Sequence, residues 1–289
     1  MTDLESRLAH DAGSAVTRCH PLGGEHGARH YRASLADGRD LFVKEASDIA
    51  GSAALEAEAR GLSWLGEAGA VPIPEIISAQ NGLLALAWVQ QASPDRGAAE
   101  RLGRDLAGLH AAGVASAPQR FGAPWPGFIA SLALPNNEAV GWPEWYAECR
   151  LLPYLRLARD AGALGGADVE RIESVASRVG ELAGPAEPVA RIHGDLWSGN
   201  VLWSAGRGWL IDPAAHGGHR ETDLAMLALF GAPYLDRILA AYRDVTPLAD
   251  GWESRVPLHQ LHPLLVHVCL FGAAYRDSAL AAARAALRA

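Results

Sequence analysis

The chain has 289 residues, 49% of them hydrophobic, and a formal net charge of −8 from 25 basic and 33 acidic side chains. That length and apolar content can build two lobes with real cores and exclude an intrinsically disordered chain. The acidic balance, without any basic run, excludes the electrostatic footprint of a nucleic-acid surface.

Read from its start, the chain opens with the charged run Met1 to Arg7, and no stretch reads as apolar enough to span a bilayer; no membrane partner and a cytoplasmic location are expected. A glycine-containing turn, Leu22 to Gly27 with Gly23 and Gly24, precedes two antiparallel strands, Arg29 to Leu35 and Asp40 to Lys44. Lys44 is the only lysine among the 25 basic residues. A compact ammonium at one strand position of a chain that otherwise uses arginine marks that position as chemically distinct. From Ser52 to Ala68 a helix is predicted whose apolar stripe carries Leu55, Leu62 and Leu65, with Glu58 inside the stripe and Glu56 on the solvated face. A carboxylate in an apolar stripe is costly unless paired, so a Lys44–Glu58 ion pair is expected.

Leu83 to Val89 reads as a buried strand, and the polar connector Gln90 to Asp95 as a hinge, dividing a lobe of residues 1–90 from a larger lobe of residues 91–289. Beyond it a helix runs through Leu102, Leu106 and Leu109 and ends near His110 and Gly113, where His110 is expected to pack or cap rather than react. Phe121 to Asn137 reads as an irregular loop. Trp142 to Ala161 reads as a helix that Pro153 kinks or interrupts, and Leu258 to Ala289 as further helix. Cys19, Cys149 and Cys269 are odd in number and far apart, which fits reduced thiols better than a disulfide framework or zinc site.

The chemistry concentrates in His193-Gly194-Asp195-Leu196-Trp197-Ser198-Gly199-Asn200. Asp195 and Asn200 have the spacing of catalytic base and metal ligand in a phosphoryl-transfer loop. Val201-Leu202-Trp203 and Trp209-Leu210-Ile211 read as a hairpin that folds Asp212 back toward them. Asn200 and Asp212 supply the hard oxygen ligands that Mg2+ selects, and Asp195 faces an acceptor hydroxyl whose proton it takes late in the transfer. Lys44 then belongs on the phosphates of ATP, oriented by Glu58. Gly23 and Gly24 place backbone N–H groups over those phosphates, and the backbone near Trp88 and Val89 receives the adenine.

These motifs extend along the whole chain as a resemblance to the fructosamine kinase (ketosamine 3-kinase) family, related to the aminoglycoside phosphotransferases. The resemblance includes Glu58-Ala59-Arg60-Gly61-Leu62, Arg150-Leu151-Leu152-Pro153, the tryptophan after His-Gly-Asp-Leu, Asp212-Pro213-Ala214 and Gly218-His219-Arg220-Glu221. It implies an α+β, bilobal protein-kinase-like fold with a small N-terminal antiparallel sheet lobe plus helix and a larger, mainly helical C-terminal lobe. It also implies an enzyme that uses ATP and Mg2+ to phosphorylate the 3-hydroxyl of a ketosamine, either a small molecule or a glycated protein lysine; elimination of the product then frees the amine. Trp197 either packs against the sugar or supports the catalytic loop. His216, His219 and Glu221 either shape the acceptor pocket or stabilise their own loop, and Trp125, Trp142 and Trp145 either line that pocket or fill core. The cysteine that some relatives carry in the phosphate-binding turn is missing between Leu22 and Arg32, so no redox switch is expected there. Another small-molecule kinase of the aminoglycoside phosphotransferase kind and a non-catalytic kinase-like binding module are the alternatives. The oligomeric state is open, with a monomer expected.

Overall fold

The computed structural model describes residues 2–113 and 120–289, folded as an α+β protein. Helix α1 (Asp3–Ala12) is set by a capping box in which the Thr2 hydroxyl accepts from the Glu5 N–H and the Glu5 carboxylate accepts from the Thr2 N–H. Its Leu4 and Leu8 pack on one face of a five-stranded antiparallel sheet. The strands are β1 (Val16–Glu25), β2 (Ala28–Leu35), β3 (Asp40–Ala46), β4 (Ile76–Gln80) and β5 (Leu83–Ala87), in the order β1-β2-β3-β5-β4. Alternation along central β3 turns Leu41 and Val43 toward α1 and sends Lys44 to the opposite face. There lies α2 (Ile49–Gly66), capped by Asp48, whose Leu55, Ala59 and Leu62 pack on Leu84 and Leu86 of β5.

The remaining described chain is mainly helical. Helix α3 (Arg96–Ala112), capped by Asp95, buries Leu102, Leu106 and Leu109 in a cluster with Leu65 of α2 and with Leu196, Val201 and Leu210. That cluster ties the first lobe's helix to the segment that carries the motif. The stretch read as irregular loop contains a short hairpin, β6 (Gly127–Ile129) and β7 (Leu132–Leu134). Its three-residue strands are too short to register as alternation among so many Pro, Gly and Asn residues. The helix predicted from Trp142 is α4 (Trp142–Tyr146) and α5 (Leu152–Asp160), joined through a widened π-turn over Ala147–Leu151. Pro153 sits in the first turn of α5, where the helix needs no N–H from it.

Helices α6 (Gly166–Ala176) and α7 (Val179–Leu182) lead to β8 (Ala190–Ile192), which pairs antiparallel with β11 (His216–Gly218). Between them stand the motif loop and the hairpin β9 (Val201–Ser204) and β10 (Arg207–Leu210). Helices α8 (Arg220–Leu229), α9 (Leu235–Val245), α10 (Trp252–Phe271) and α11 (Arg276–Ala286) complete the lobe. Contrary to the expectation from sequence, one stretch, Trp252–Ala286, does reach the length and mean hydropathy (1.2) of a membrane span. Helix α10 is the central helix of the larger core, burying Leu258, Leu261, Leu265 and Val268, and it also buries Arg255, His259 and His262.

Candidate active site

The motif loop leaves β8 at His193 and is fixed from beneath by Asp223 in the first turn of α8. The fully buried Asp223 carboxylate accepts from the backbone N–H of His193 (2.7 Å) and of Gly194 (2.9 Å), and its third partner is His110 Nε2 at 3.2 Å. His110 in turn meets the Tyr242 hydroxyl through Nδ1 (2.9 Å), so it acts structurally, as a strut under Asp223. Gly194 has φ +80° and its missing Cβ would strike the Ala214 carbonyl, so both conformation and space require glycine. The buried His193 ring donates from Nε2 to the Ile211 carbonyl (2.9 Å) and accepts at Nδ1 from the Asp195 N–H (3.3 Å). Burial holds its pKa below the usual imidazole range, so a neutral ring joins the loop to the chain entering Asp212.

On this support the predicted groups converge. Lys44 Nζ lies 2.9 and 2.8 Å from the two oxygens of Glu58 and 2.8 Å from Asp212 Oδ1. The expected ion pair is thus present and extended by a second carboxylate. Asn200 donates from Nδ2 to the Asp195 carbonyl (2.9 Å) and Asp195 Oδ2 (3.1 Å), with the Asp212 carbonyl at 3.4 Å. Asp212 adopts φ +53°, a left-handed conformation uncommon for non-glycine residues but most accessible to Asp and Asn.

The electrostatics are unbalanced. Glu58 and Asp212 flank the Lys44 ammonium, and Asp195 and Glu25 add two more carboxylates to the same cavity. Burial alone would depress Lys44, but the Glu58 and Asp212 charges outweigh it and raise its pKa. Burial raises Glu58 and also opposes ionisation of Asp212, which Lys44 nevertheless holds below its ordinary value. Asp195 has no cation beside it: burial first, then the charges of Asp212 and Asp223, push it up to about 7 against the relief that Asn200 gives. A concave site with excess negative charge and clustered oxygen donors fits a hard divalent cation.

A cavity of about 200 Å³ is lined by Lys44, Glu58, Asp195, Asn200, Asp212 and Trp197, with Glu25 from the end of β1 and His26 from the β1–β2 turn. Trp197 is 39% exposed, and its indole lies over Gly199, where any Cβ would collide with the ring. The structure thus sets Trp197 at the surface beside Asp195, and Gly199 is a positioning residue that sequence reasoning missed. Asp223 and His193 were missed too. A buried Asp in a helix's first turn looks in sequence like any dipole-favoured residue.

Other expected site residues fall outside this cavity. Gly23 and Gly24 are in β1, paired with His30 and Arg29, and the turn itself is His26-Gly27, so neither glycine lines this cavity. Trp88 and Val89 also lie outside its wall; Trp88 packs beneath the Arg32 guanidinium at 4.4 Å. His216, His219 and Glu221 are buried away from the cavity. His216 bonds the Ala214 carbonyl, His219 caps α8 and Glu221 pairs with Arg255 at 2.6 Å, so all three stabilise the loop after Asp212. Trp142 and Trp145 are core, whereas Trp125 does line the cavity.

Comparison with known proteins agrees with this geometry. A solved candidate fructosamine-3-kinase from Thermobifida fusca superimposes with a TM-score of 0.94 at 52% identity, over 99% of each chain. An ADP-bound aminoglycoside phosphotransferase shares the fold, with a TM-score of 0.67 at 13% identity over 98% of this chain and 99% of its own. The protein-ribulosamine 3-kinase of Arabidopsis thaliana is 33% identical over 285 residues, covering 94% of this chain and 83% of the plant protein. The fructosamine kinase profile matches residues 2–289, and a chain matched over that extent, with these groups gathered around one lysine, belongs to the fructosamine kinase family.

Proposed function

We propose that the protein is an ATP-dependent ketosamine 3-kinase, transferring the γ-phosphoryl group to the 3-hydroxyl of a sugar–amine adduct. The observation that carries this reading is the Lys44–Glu58–Asp212 triad facing Asp195, in a chain of the fructosamine kinase family. Glu58 holds the Lys44 ammonium toward the cleft, where it binds phosphate oxygens and offsets the charge that spreads over them in transfer. Asn200 and Asp212 are the residues that would hold Mg2+, which when bound supplies Lewis-acid neutralisation of phosphate charge. Asp195 accepts the proton of the 3-hydroxyl as that oxygen bonds to phosphorus and the bond to ADP breaks. Its raised pKa makes it a better proton acceptor than an ordinary carboxylate, provided it is ionised when the acceptor arrives. Trp197 offers a flat indole to the C–H face of the sugar and an N–H to a hydroxyl. Elimination of the 3-phosphate then releases the amine, so the net outcome is deglycation.

The test is turnover with Mg2+ and ATP on the ribulosamine and fructosamine of lysine, with the phosphate position read by NMR and an aminoglycoside panel in parallel. Phosphorylation at the 3-hydroxyl followed by amine release is expected. Turnover of aminoglycosides alone would overturn the assignment.

A further inference from the structure

His26, Ile129, Ala130, Asp195 and Trp197 line both the cavity around Lys44 and a second cavity, of about 330 Å³, that runs along α10. Lys44, Asn200 and Asp212 border the first cavity and not the second. A phosphoryl group in transfer leaves ADP on one side and meets the acceptor oxygen on the other, so it crosses the boundary that the base Asp195 marks. As it crosses, it draws away from Lys44 while its outer oxygens stay charged. Four carboxylates, of Glu25, Glu58, Asp195 and Asp212, line the first cavity, and their repulsion calls for a donor on the far side of the moving group. Among the described residues of the shared boundary, His26 is the one basic side chain.

The fold fixes where His26 stands. Glu25 and Ala28 are the last pair of β1 and β2, which leaves His26 (φ +49°) and Gly27 (φ +81°) as a two-residue turn with both members left-handed, the geometry that matches the twist of a tight hairpin. The Gly27 carbonyl accepts from the Ser47 N–H (2.8 Å), and Gly51 in the first turn of α2 approaches it so closely that a Cβ there would collide. The turn is thus braced on the start of the helix that carries Glu58. The His26 side chain is 44% exposed and its Nε2 lies 4.0 Å from Glu25, beyond hydrogen-bond reach. Among the described residues neither ring nitrogen has a hydrogen-bond partner, so the ring is free to donate to what enters the boundary.

Resting on the kinase reading above, we propose that His26 is a catalytic residue, donating a ring N–H to an outer oxygen of the γ-phosphoryl group as it passes to the acceptor. The bond from phosphorus to the bridging oxygen of ADP breaks as the bond to the acceptor oxygen forms. The hydroxyl proton goes to Asp195, and His26 keeps its own throughout. Neutral or charged, an imidazole carries the N–H that this contact needs.

Asn and Gln separate this role from one in shaping the turn. Asn enters left-handed turns more readily than Gln, but its amide stops short of the place where Nε2 stands, which the Gln amide reaches. His26→Asn and His26→Ala should each lower kcat on the lysine ribulosamine about tenfold or more, with Kd for ADP within about twofold of wild type. His26→Gln should turn over faster than His26→Asn, and the ADP titration also reports that each variant is folded. A wild-type kcat in His26→Asn, a His26→Gln no faster than His26→Asn, or ADP affinity that falls together with kcat would overturn the inference and leave the kinase assignment standing. Should the wild type turn over an aminoglycoside instead of the ketosamine, the same variants are compared on that acceptor. Absence of turnover on either class would overturn the assignment, and the inference with it.

Discussion

Asp195 is the group whose replacement separates catalysis from stability most sharply. Its carboxyl is pushed up to about 7 from an ordinary 3.8, so folding raises the proton affinity of this group. A folded-state pKa above the unfolded one contributes stability that is full below about pH 4 and is lost as pH rises through 7. Three pK units correspond to about 4 kcal/mol, or about 2 kcal/mol once partial solvent contact is discounted. Asp195→Asn removes the titration and keeps the size and the Asn200 contact. Between pH 5 and pH 8.5, with EDTA and no nucleotide, the wild type should therefore lose about 1–3 kcal/mol relative to Asp195→Asn. In melting temperature that is ~2–6 °C. The assay is urea or thermal unfolding of both proteins across that range, with turnover measured beside it. The variant should lose at least three orders of magnitude in kcat and still bind ATP. Stability curves that run parallel at every pH would refute the claim that burial and like charge perturb Asp195. Unchanged turnover would remove it from the mechanism.

Other consequences follow from the same geometry. Lys44→Met leaves Glu58 and Asp212 buried without their cation and should cost about 3–5 kcal/mol as well as nucleotide binding. The double change Lys44→Met with Glu58→Gln should recover part of that stability but no turnover, as urea unfolding and ATP titration would report. Asp223→Ala unpairs two buried loop N–H groups and the His110 ring; it should lower kcat strongly and stability by about 2–4 kcal/mol while ATP affinity changes little, checked by single-turnover kinetics and calorimetry. Gly199→Ala displaces the Trp197 indole and should raise KM for the ketosamine while leaving KM for ATP near wild type. Glu221, held at about 2 by His259 and Arg255 against the upward push of burial, contributes stability present above its ordinary range and lost only as pH falls toward 2. Glu221→Gln should thus destabilise at neutral pH, and the deficit should shrink on acidification.

The sequence by itself determined the groups that carry charge and the local frames that hold them. A single lysine on an alternating strand, a glutamate inside a leucine stripe and the His-Gly-Asp to Asn spacing were legible because strand and helix periodicity fix which face each side chain occupies. The hairpin between Asn200 and Asp212 was legible for the same reason, since its turn is closed by neighbours in sequence. What only the tertiary structure decided are long-range matters. Asp223 under the loop, the Glu221–Arg255 pair and the strut from His110 to Tyr242 join residues far apart in the chain, and no local pattern distinguishes a buried Asp or His from a capping or solvated one. The true position of Gly23 and Gly24 depended on β1 continuing to pair with β2 as far as Glu25.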